Sequence, residues 1–317
     1  NNFEVVIIDD LSNTEKFILK NIEEITGKKP IFYPFDLKRK ELLKQVFDAH
    51  KIEGCIHFAA YKAVGESQEK PIDYYENNLF SLINLLQEMK ERNISNFIFS
   101  SSCTVYGQAD TMPIDENTPL KLPESSYGKT KQMGEEILKD FATAHQKKVT
   151  LLRYFNPIGA HPSAKLGELP IGIPNNLVPY VMQTAAGVRE KLSVWGNDYP
   201  TEDGTAIRDY IYVVDLAKAH VKALQKLISE NSETVIDIYN LGTGKGSSVL
   251  EVVHAFEKAN DVAVPYQICE RRAGDITIAY ANADKAEKEL GWKSETSLEE
   301  ALRTVWQWQK YLETREK

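Results

Sequence analysis

The stretch Asn96-Phe-Ile-Phe-Ser-Ser-Ser-Cys-Thr-Val-Tyr-Gly107, with Ser126-Tyr-Gly-Lys-Thr-Lys131 behind it, decides how the chain is read. Asn96-Phe-Ile-Phe99 is a short apolar run ending abruptly in hydroxyl residues, the pattern of a buried strand running into a polar loop. Tyr127 and Lys131 stand four apart, so on a helix they share a face, about one turn from each other. An ammonium beside a phenol favours the phenolate, and a tyrosine that ionises near neutral pH can serve as a base. Bringing a phenol from about 10 to 7 requires roughly 4 kcal/mol of differential stabilisation. The spacing alone is common on amphipathic helices. Ser102, at the strand end, is what makes the three a candidate proton-transfer set.

Outward from this unit the pattern repeats. Glu4-Val-Val-Ile-Ile8, Ile31-Phe-Tyr33, Gly54-Cys-Ile-His-Phe58 and Val149-Thr-Leu-Leu152 are further strand-like runs, with helical stretches near 14–26, 39–50, 67–92 and 126–146. The alternation predicts an α/β protein with a Rossmann-type, doubly wound parallel sheet covered by helices. After Tyr154 the texture turns to loops rich in Pro, Gly and Asn. The expected division is a nucleotide-binding domain over 1–155 and a smaller C-terminal substrate-binding domain over 156–317, with segments near 212–241 returning to the first. Such a sheet normally opens with a strand and a Gly-rich turn that meets a pyrophosphate at a helix N-terminus. No G-x-G-x-x-G or G-x-x-G-x-x-G occurs, and Gly242-Thr-Gly-Lys-Gly246 comes too late and leads into a different helix. The missing strand, turn and helix are therefore expected ahead of Asn1.

At 317 residues, 42% hydrophobic and 26% charged, the chain suits a soluble globular protein with an ample core. No apolar run approaches a membrane span and no signal peptide is visible. Cys55, Cys103 and Cys269 are few and far apart, which points to a reducing, cytoplasmic setting. The six histidines have no metal-ligand spacing, so no metal is expected. A net charge of −8 argues against a nucleic-acid surface, so an anionic ligand must be held by a local basic cluster.

Strand ends carry the ligand signals. Asp9 sits where an acid binds adenosine ribose hydroxyls, and with Asp10 it would repel a 2′-phosphate, favouring NAD over NADP. Asp36-Leu37 ends the next strand and fits an adenine contact; a helix N-cap accounts for Asp36 equally. In Phe58-Ala59-Ala60 small residues permit close backbone approach, and the Lys62 ammonium follows within reach of a phosphate. His57 is expected in the core. Of Asn77 and Asn78, one is expected at the cofactor and the other on the polar surface. Phe80, Leu82, Leu85, Leu86 and Met89 give their helix apolar surface, part of it toward the sheet.

Longer motifs are more specific. Ala59-Ala-Tyr-Lys-Ala-Val-Gly-Glu-Ser67, Lys70-Pro-Ile-Asp-Tyr-Tyr-Glu-Asn-Asn78, Leu152-Arg-Tyr-Phe-Asn-Pro-Ile-Gly-Ala-His-Pro162, Asn197-Asp-Tyr-Pro-Thr-Glu-Asp-Gly204 and Arg208-Asp-Tyr210 resemble the UDP-glucose 4-epimerase (UDP-galactose 4-epimerase) family. That family is an extended form of the short-chain dehydrogenase/reductases, whose Ser, Tyr and Lys match Ser102, Tyr127 and Lys131. The likeness runs from the first residue to about 310 and departs from the family at the Gly-rich loop.

The resemblance implies an NAD-dependent isomerase that interconverts UDP-galactose and UDP-glucose through a 4-keto intermediate. It implies Tyr127 as base, Lys131 as its electrostatic partner and ribose ligand, and Ser102 as proton relay. Asp9, Asn13, Asp36, Leu37, Phe58, Ala59, Lys62, Asn77 and Ser100 would hold NAD, with Tyr154 and Phe155 bordering the nicotinamide. Thr104 and Asn156 would meet the nucleotide-sugar, and Asn176 and Leu177 its diphosphate. Ser193 and Trp195 would meet the uracil, although an ordinary core aromatic also accounts for Trp195. Arg208, Tyr210, Val249, Arg272 and Asp275 would complete the nucleotide site; an arginine's planar fork suits phosphate and a carboxylate suits ribose hydroxyls. Position 279 corresponds to the wall beside the sugar's C2 substituent. Ala279 leaves room for N-acetylated sugars, unless Tyr280 fills the gap. The resemblance also implies a homodimer built on the helices near 67–92 and 126–146.

Two rivals differ in chemistry. A nucleotide-sugar 4,6-dehydratase or uronate decarboxylase would carry a carboxylate after the strand-end Ser, where this chain reads Cys103-Thr104-Val105. A non-catalytic dinucleotide sensor has no need of Ser102, Tyr127 and Lys131 together.

Overall fold

Strands and helices alternate through the first half of the chain. The computed structural model describes residues 3–272 and 275–315. In chain order, β1 (Val6–Asp9), α1 (Phe17–Thr26), β2 (Ile31–Pro34), α2 (Lys40–Ala49) and β3 (Gly54–His57) lead into α3 (Val64–Glu69), α4 (Pro71–Tyr75) and α5 (Ser81–Glu91). Then come β4 (Asn96–Ser100), α6 (Ser126–His145), β5 (Lys148–Tyr154), β6 (Asn156–Ile158), α7 (Leu177–Ala185), β7 (Leu192–Trp195), β8 (Ile207–Arg208) and β9 (Tyr210–Tyr212). The chain closes with α8 (Val213–Ser229), β10 (Val235–Leu241), β11 (Ser247–Ser248), α9 (Val249–Asn260), β12 (Tyr266–Cys269), β13 (Ile278–Ala279), α10 (Asp284–Leu290) and α11 (Leu298–Arg315).

The fold is α/β and Rossmann-type. One parallel ladder runs β10-β5-β4-β3 and a second pairs β1 with β2, so connections between neighbours are helical crossovers. β4 and β5 are buried along nearly their whole length, which explains their unbroken apolar runs. One face packs on Leu43, Phe47, Leu82, Leu85, Leu86, Met89 and Leu138. The other packs on α8 through Leu216, Ala219, Ala223 and Leu227. A separate core joins α7, α9 and α11 around Val181, Phe256, Leu302 and Trp308.

Three local expectations need correction. β1 begins at Val6 rather than Glu4. The helix over 67–92 is interrupted: Pro71 starts a new helix at its first position, and Glu76–Phe80 is a π-helical turn. That turn aims Asn78 at the loop after β3. Leu82, Leu85, Leu86 and Met89 all belong to the sheet-facing core, which leaves Phe80 as the exposed member of that set.

Candidate active site

β4 ends at Ser100, and the chain behind it builds the site. Ser102 is extended and its Oγ accepts from Thr104 N at 3.2 Å, so the chain turns sharply over Cys103–Tyr106. α6 starts opposite, with the Ser125 hydroxyl capping it by accepting from Gly128 N. Tyr127 therefore lies in the first turn, where the helix dipole favours negative charge. Gly134 lets α6 lie close against β4, since a Cβ there would come within 2.8 Å of the Phe99 ring. This seats Lys131 Nζ 4.9 Å from the centre of the Phe99 ring and 5.9 Å from that of Tyr127.

Ser102, Tyr127 and Lys131 come together, all buried. The Ser102 hydroxyl stands beside the Tyr127 phenol and favours its ionised form. Lys131 Nζ donates to Ser100 O at 2.7 Å, which directs its ammonium at the strand end rather than at the phenol oxygen. Burial is the largest influence on both groups. It pushes the Tyr127 phenol above its ordinary value against the opposing influence of Ser102, and it brings Lys131 down to about 8 against the charge of Glu135. Burial of both groups makes Tyr127 harder to ionise than a free phenol, so Lys131 on its own does not bring the phenol toward neutrality.

Below the three residues lies a polar lattice. Ser101 Oγ donates to Glu135 Oε1 at 2.6 Å, and Arg153 grips both Glu135 oxygens through Nε and Nη2 at 2.9 and 2.5 Å. Arg153 also donates to Tyr106 OH, which donates to Asn240 Oδ1. On the other side, His220 Nδ1 donates to Leu216 O, so its Nε2 accepts from Ser100 Oγ at 3.0 Å. Burial holds His220 neutral, near 4, and His57 near 3 with the charge of Lys131 adding to the effect. His57 lies in the core as expected, against Phe97 and Phe99. Sequence reasoning missed Glu135, Arg153 and His220. Glu135 carried a signal, standing four residues beyond Lys131 on the same helix face.

The residues expected at NAD lie at the carboxyl ends of parallel strands, where such sheets bind ligands. Asp9 ends β1, exposed, with Asn13 exposed beyond it. Asp36 and the buried Leu37 follow β2. Exposed Phe58 and Ala59 follow β3, with the Phe58 ring 4.6 Å from that of His220. Tyr154 ends β5 and Phe155 follows it, with the Tyr154 phenol beside Ser100. Asn78 is buried rather than surface-facing: it accepts from Tyr61 N at 2.7 Å and donates to Tyr61 O and Thr130 Oγ1. It clamps the loop carrying Lys62 onto α6, with Asn77 half-buried beside it. These groups fit NAD: an exposed carboxylate for ribose hydroxyls, an exposed ammonium for phosphate, and Lys131 with two N–H donors beyond the one on Ser100.

The second wall is charged and open. Arg272 Nε and Nη2 donate to Asp275 at 3.1 and 3.2 Å, and Arg208 Nη2 lies 3.9 Å from Asp275. The Arg272 guanidinium lies 5.9 Å from the Trp195 ring centre. Trp195 is 42% exposed, which overturns the core-aromatic alternative. Ser193 precedes it on β7 with Val194 between them, and Tyr210 is buried near Arg208 and Arg272. Val249 opens α9, half-buried. Asn156 N donates to Asp209 O, and Ala279 O accepts from Asp209 N, so Asp209 places both beside Arg208. The Asp209 carboxylate fills the loop that reads as a late glycine-rich turn, accepting from Thr243 N, Thr243 Oγ1, Gly244 N and Ala281 N. Those amides are therefore not a phosphate cradle. Thr104 Oγ1 is buried with no partner, beside Ser102, and suits a polar ligand atom. Asn176 and Leu177 begin α7.

Comparison with known proteins places these features. The family described as GDP-mannose 4,6 dehydratase matches residues 1–305. A UDP-glucose 4-epimerase of Bacillus subtilis is 52% identical over 308 residues, covering 97% of this chain and 90% of that protein. The crystal structure of UDP-glucose 4-epimerase from Stenotrophomonas maltophila with NAD and formylated UDP-arabinopyranose superposes with a TM-score of 0.95 at 43% identity, covering 99% and 93% of the two chains. That from Bifidobacterium longum with NAD+ and UDP gives 0.93 at 47% identity, covering 98% and 92%. With Ser102, Tyr127 and Lys131 gathered at the end of β4 and identity near one half over nearly its whole length, the chain belongs to the UDP-glucose 4-epimerase family.

Proposed function

We propose that the chain interconverts UDP-galactose and UDP-glucose by inverting C4 of the sugar. The observation that carries this is the burial of Ser102, Tyr127 and Lys131 together, with Lys131 fixed on the adjacent strand end. NAD, when bound, accepts and returns the C4 hydride, and its ring charge opposes the cost of a buried phenolate. Tyr127 takes the O4 proton, with Ser102 passing it between sugar and phenol. Proton return by the same pair completes the cycle after the sugar has turned. Holding the UDP at Trp195, Arg208, Arg272 and Asp275 keeps binding energy away from the reacting carbon, so the sugar can turn while the nucleotide stays. The residues after Ser102 are Cys103-Thr104-Val105, which lack the carboxylate a dehydratase needs. Incubating the protein with UDP-galactose and NAD, and scoring UDP-glucose, tests the proposal; formation of a dehydrated 4-keto sugar instead would reject it.

Ala279 supports a wider substrate range. It is buried against Val105, Tyr106 and Phe155, while Tyr280 follows it in the chain and lies against Gly246. The packing of Tyr280 against Gly246 supports the reading that it leaves the space beside Ala279 free. UDP-N-acetylglucosamine should therefore be a substrate, and Ala279→Tyr should remove that activity selectively, overpacking typically costing about 1–3 kcal/mol. No turnover of N-acetyl sugars by the unaltered protein rejects this.

The division at 155/156, with 212–241 returning, is supported by β10 pairing with β5 and by the separate core around α7, α9 and α11. Homodimer assembly is supported by Ile72, Phe80, Ile83 and Met133, all exposed on α4 to α6. A monomer at all concentrations in the analytical ultracentrifuge would reject it. Among the described residues no helix is long and apolar enough to cross a membrane, and the free cysteines support a cytoplasmic location.

A further inference from the structure

Two residues assigned to different ligands converge on a single carboxylate oxygen. Lys62 Nζ, assigned to the cofactor phosphates, lies 3.0 Å from Glu168 Oε1, and Asn176 Nδ2, assigned to the UDP diphosphate, donates to the same atom at 2.8 Å. Lys62 follows β3, whereas Asn176 stands at the N-cap of α7, so Glu168 bridges the two halves of the site. Asn176 has the extended backbone of an N-cap yet makes no side-chain cap bond, the role its residue type usually takes. Its amide is turned to Glu168 instead.

The Glu168 backbone is itself fixed. Trp308 Nε1, from the core of α11, donates to Glu168 O at 2.9 Å. Gly167 lies so close to the same indole that a Cβ would come within 2.6 Å of it. The carboxylate is thus carried on an anchored segment, while the groups it holds are a flexible ammonium and an amide with donors to spare. An ion pair this exposed contributes little to stability, so its consequence lies in where it puts those two donors.

We propose that Glu168 is a positioning residue that couples the two nucleotide subsites, aiming Lys62 at the cofactor phosphates and Asn176 at the sugar-nucleotide diphosphate. The proposal rests on the roles assigned to Lys62 and Asn176 above. In holoenzyme, Glu168→Ala should raise KM for UDP-galactose about 10-fold and speed NAD release several-fold, with kcat within about 3-fold and Tm little changed. Glu168→Gln keeps an acceptor for Asn176 but no charge for Lys62, so KM should return toward normal while NAD release stays fast. Lys62→Met should speed NAD release in the unaltered protein and have no further effect on it in Glu168→Ala. Unchanged KM and NAD release in Glu168→Ala would overturn the coupling, as would an equal Lys62→Met effect in both backgrounds. If Lys62→Met alone leaves NAD release unchanged and Asn176→Ala alone leaves KM unchanged, it is the assignment of those residues that fails, and the proposal falls with it.

Discussion

The wall built on β4 and α6 differs in kind from the wall built on β7 and β8 with Arg272 and Asp275. On the first, Ser102, Tyr127 and Lys131 are all under a tenth exposed, and the groups around them are bonded to one another through Ser100, Ser101, Glu135, Arg153 and His220. On the second, Trp195 and Arg272 stand open to solvent, and Asp275 is shared between Arg272, which donates to it at 3.1 and 3.2 Å, and Arg208 at 3.9 Å. Groups that move protons must keep their geometry through the reaction, which a buried, fully bonded lattice ensures. Groups that grip a charged nucleotide must reach into solvent to meet it. Changes on the first wall should therefore appear in kcat and in stability, and changes on the second in KM.

The largest expected effect is at Tyr127. Tyr127→Phe keeps the ring and removes only the hydroxyl proposed to handle a proton in the transition state, so kcat should nearly vanish while UDP-sugar affinity barely moves. Ser102→Ala removes one positioned relay and should cost on the order of 10²-fold. Single-turnover rates with equilibrium binding of UDP separate the two quantities. A near-normal kcat in Tyr127→Phe would dissolve the distinction between the walls.

Lys131 should show the conflict between activity and stability that burial creates. Its ammonium is 4% exposed and its pKa falls from 10.5 to about 8, chiefly through desolvation. The unfolded chain therefore holds more protons between about 8 and 10.5, so stability should rise with pH across that window and carry the full penalty below it. Lys131→Met should lose on the order of 10²-fold in kcat yet gain about 1–2 kcal/mol at pH 7.5, after allowing for the donor lost at Ser100 O. Urea unfolding at pH 7.5 and 9.5 checks the sign: the gain should shrink at the higher pH. A variant less stable than the parent at pH 7.5 would mean that the ammonium is compensated where it lies.

How legible each wall is in the sequence follows from the same contrast. Strand-end Ser102 and the pair Tyr127 and Lys131 are set by periodicities of two and near four, so short-range spacing places them. The lattice beneath is joined by contacts such as Ser100 with His220, 120 residues apart, and no local pattern encodes those. Burial's part in the Tyr127 shift is not written in the sequence for a related reason: spacing gives the distance between two charges but not their dehydration. Asn78 was hidden because a π-helical turn, not a regular helix, aims it inward. The open wall gave almost no signal of its own. Arg208, Arg272 and Trp195 are identified through the long motifs of the resemblance, since exposed arginines and tryptophans fit many surfaces. Glu168 lay outside both kinds of signal, because its significance is that Lys62 and Asn176 reach it from opposite directions.

The smallest expected effects compare two adjacent arginines on the open wall. Arg272 faces Trp195 and Asp275, whereas Arg271 turns to Asp198, donating to its Oδ1 at 2.7 Å, and stacks 4.0 Å from the Tyr199 ring centre. A charged hydrogen bond to a ligand contributes about 1.5–3 kcal/mol, and solvent at the exposed Arg272 brings that toward the lower end. Arg272→Ala should thus raise KM for UDP-galactose about 10-fold with kcat within a factor of about 3. Arg271→Ala breaks an exposed surface pair, worth roughly 0–1 kcal/mol, and should leave both constants within about 2-fold. Steady-state kinetics on the two variants, each saturated with NAD, decides it. If Arg271→Ala matched Arg272→Ala in KM, the two arginines would act as one unit, and the open wall would be as tightly organised as the buried one.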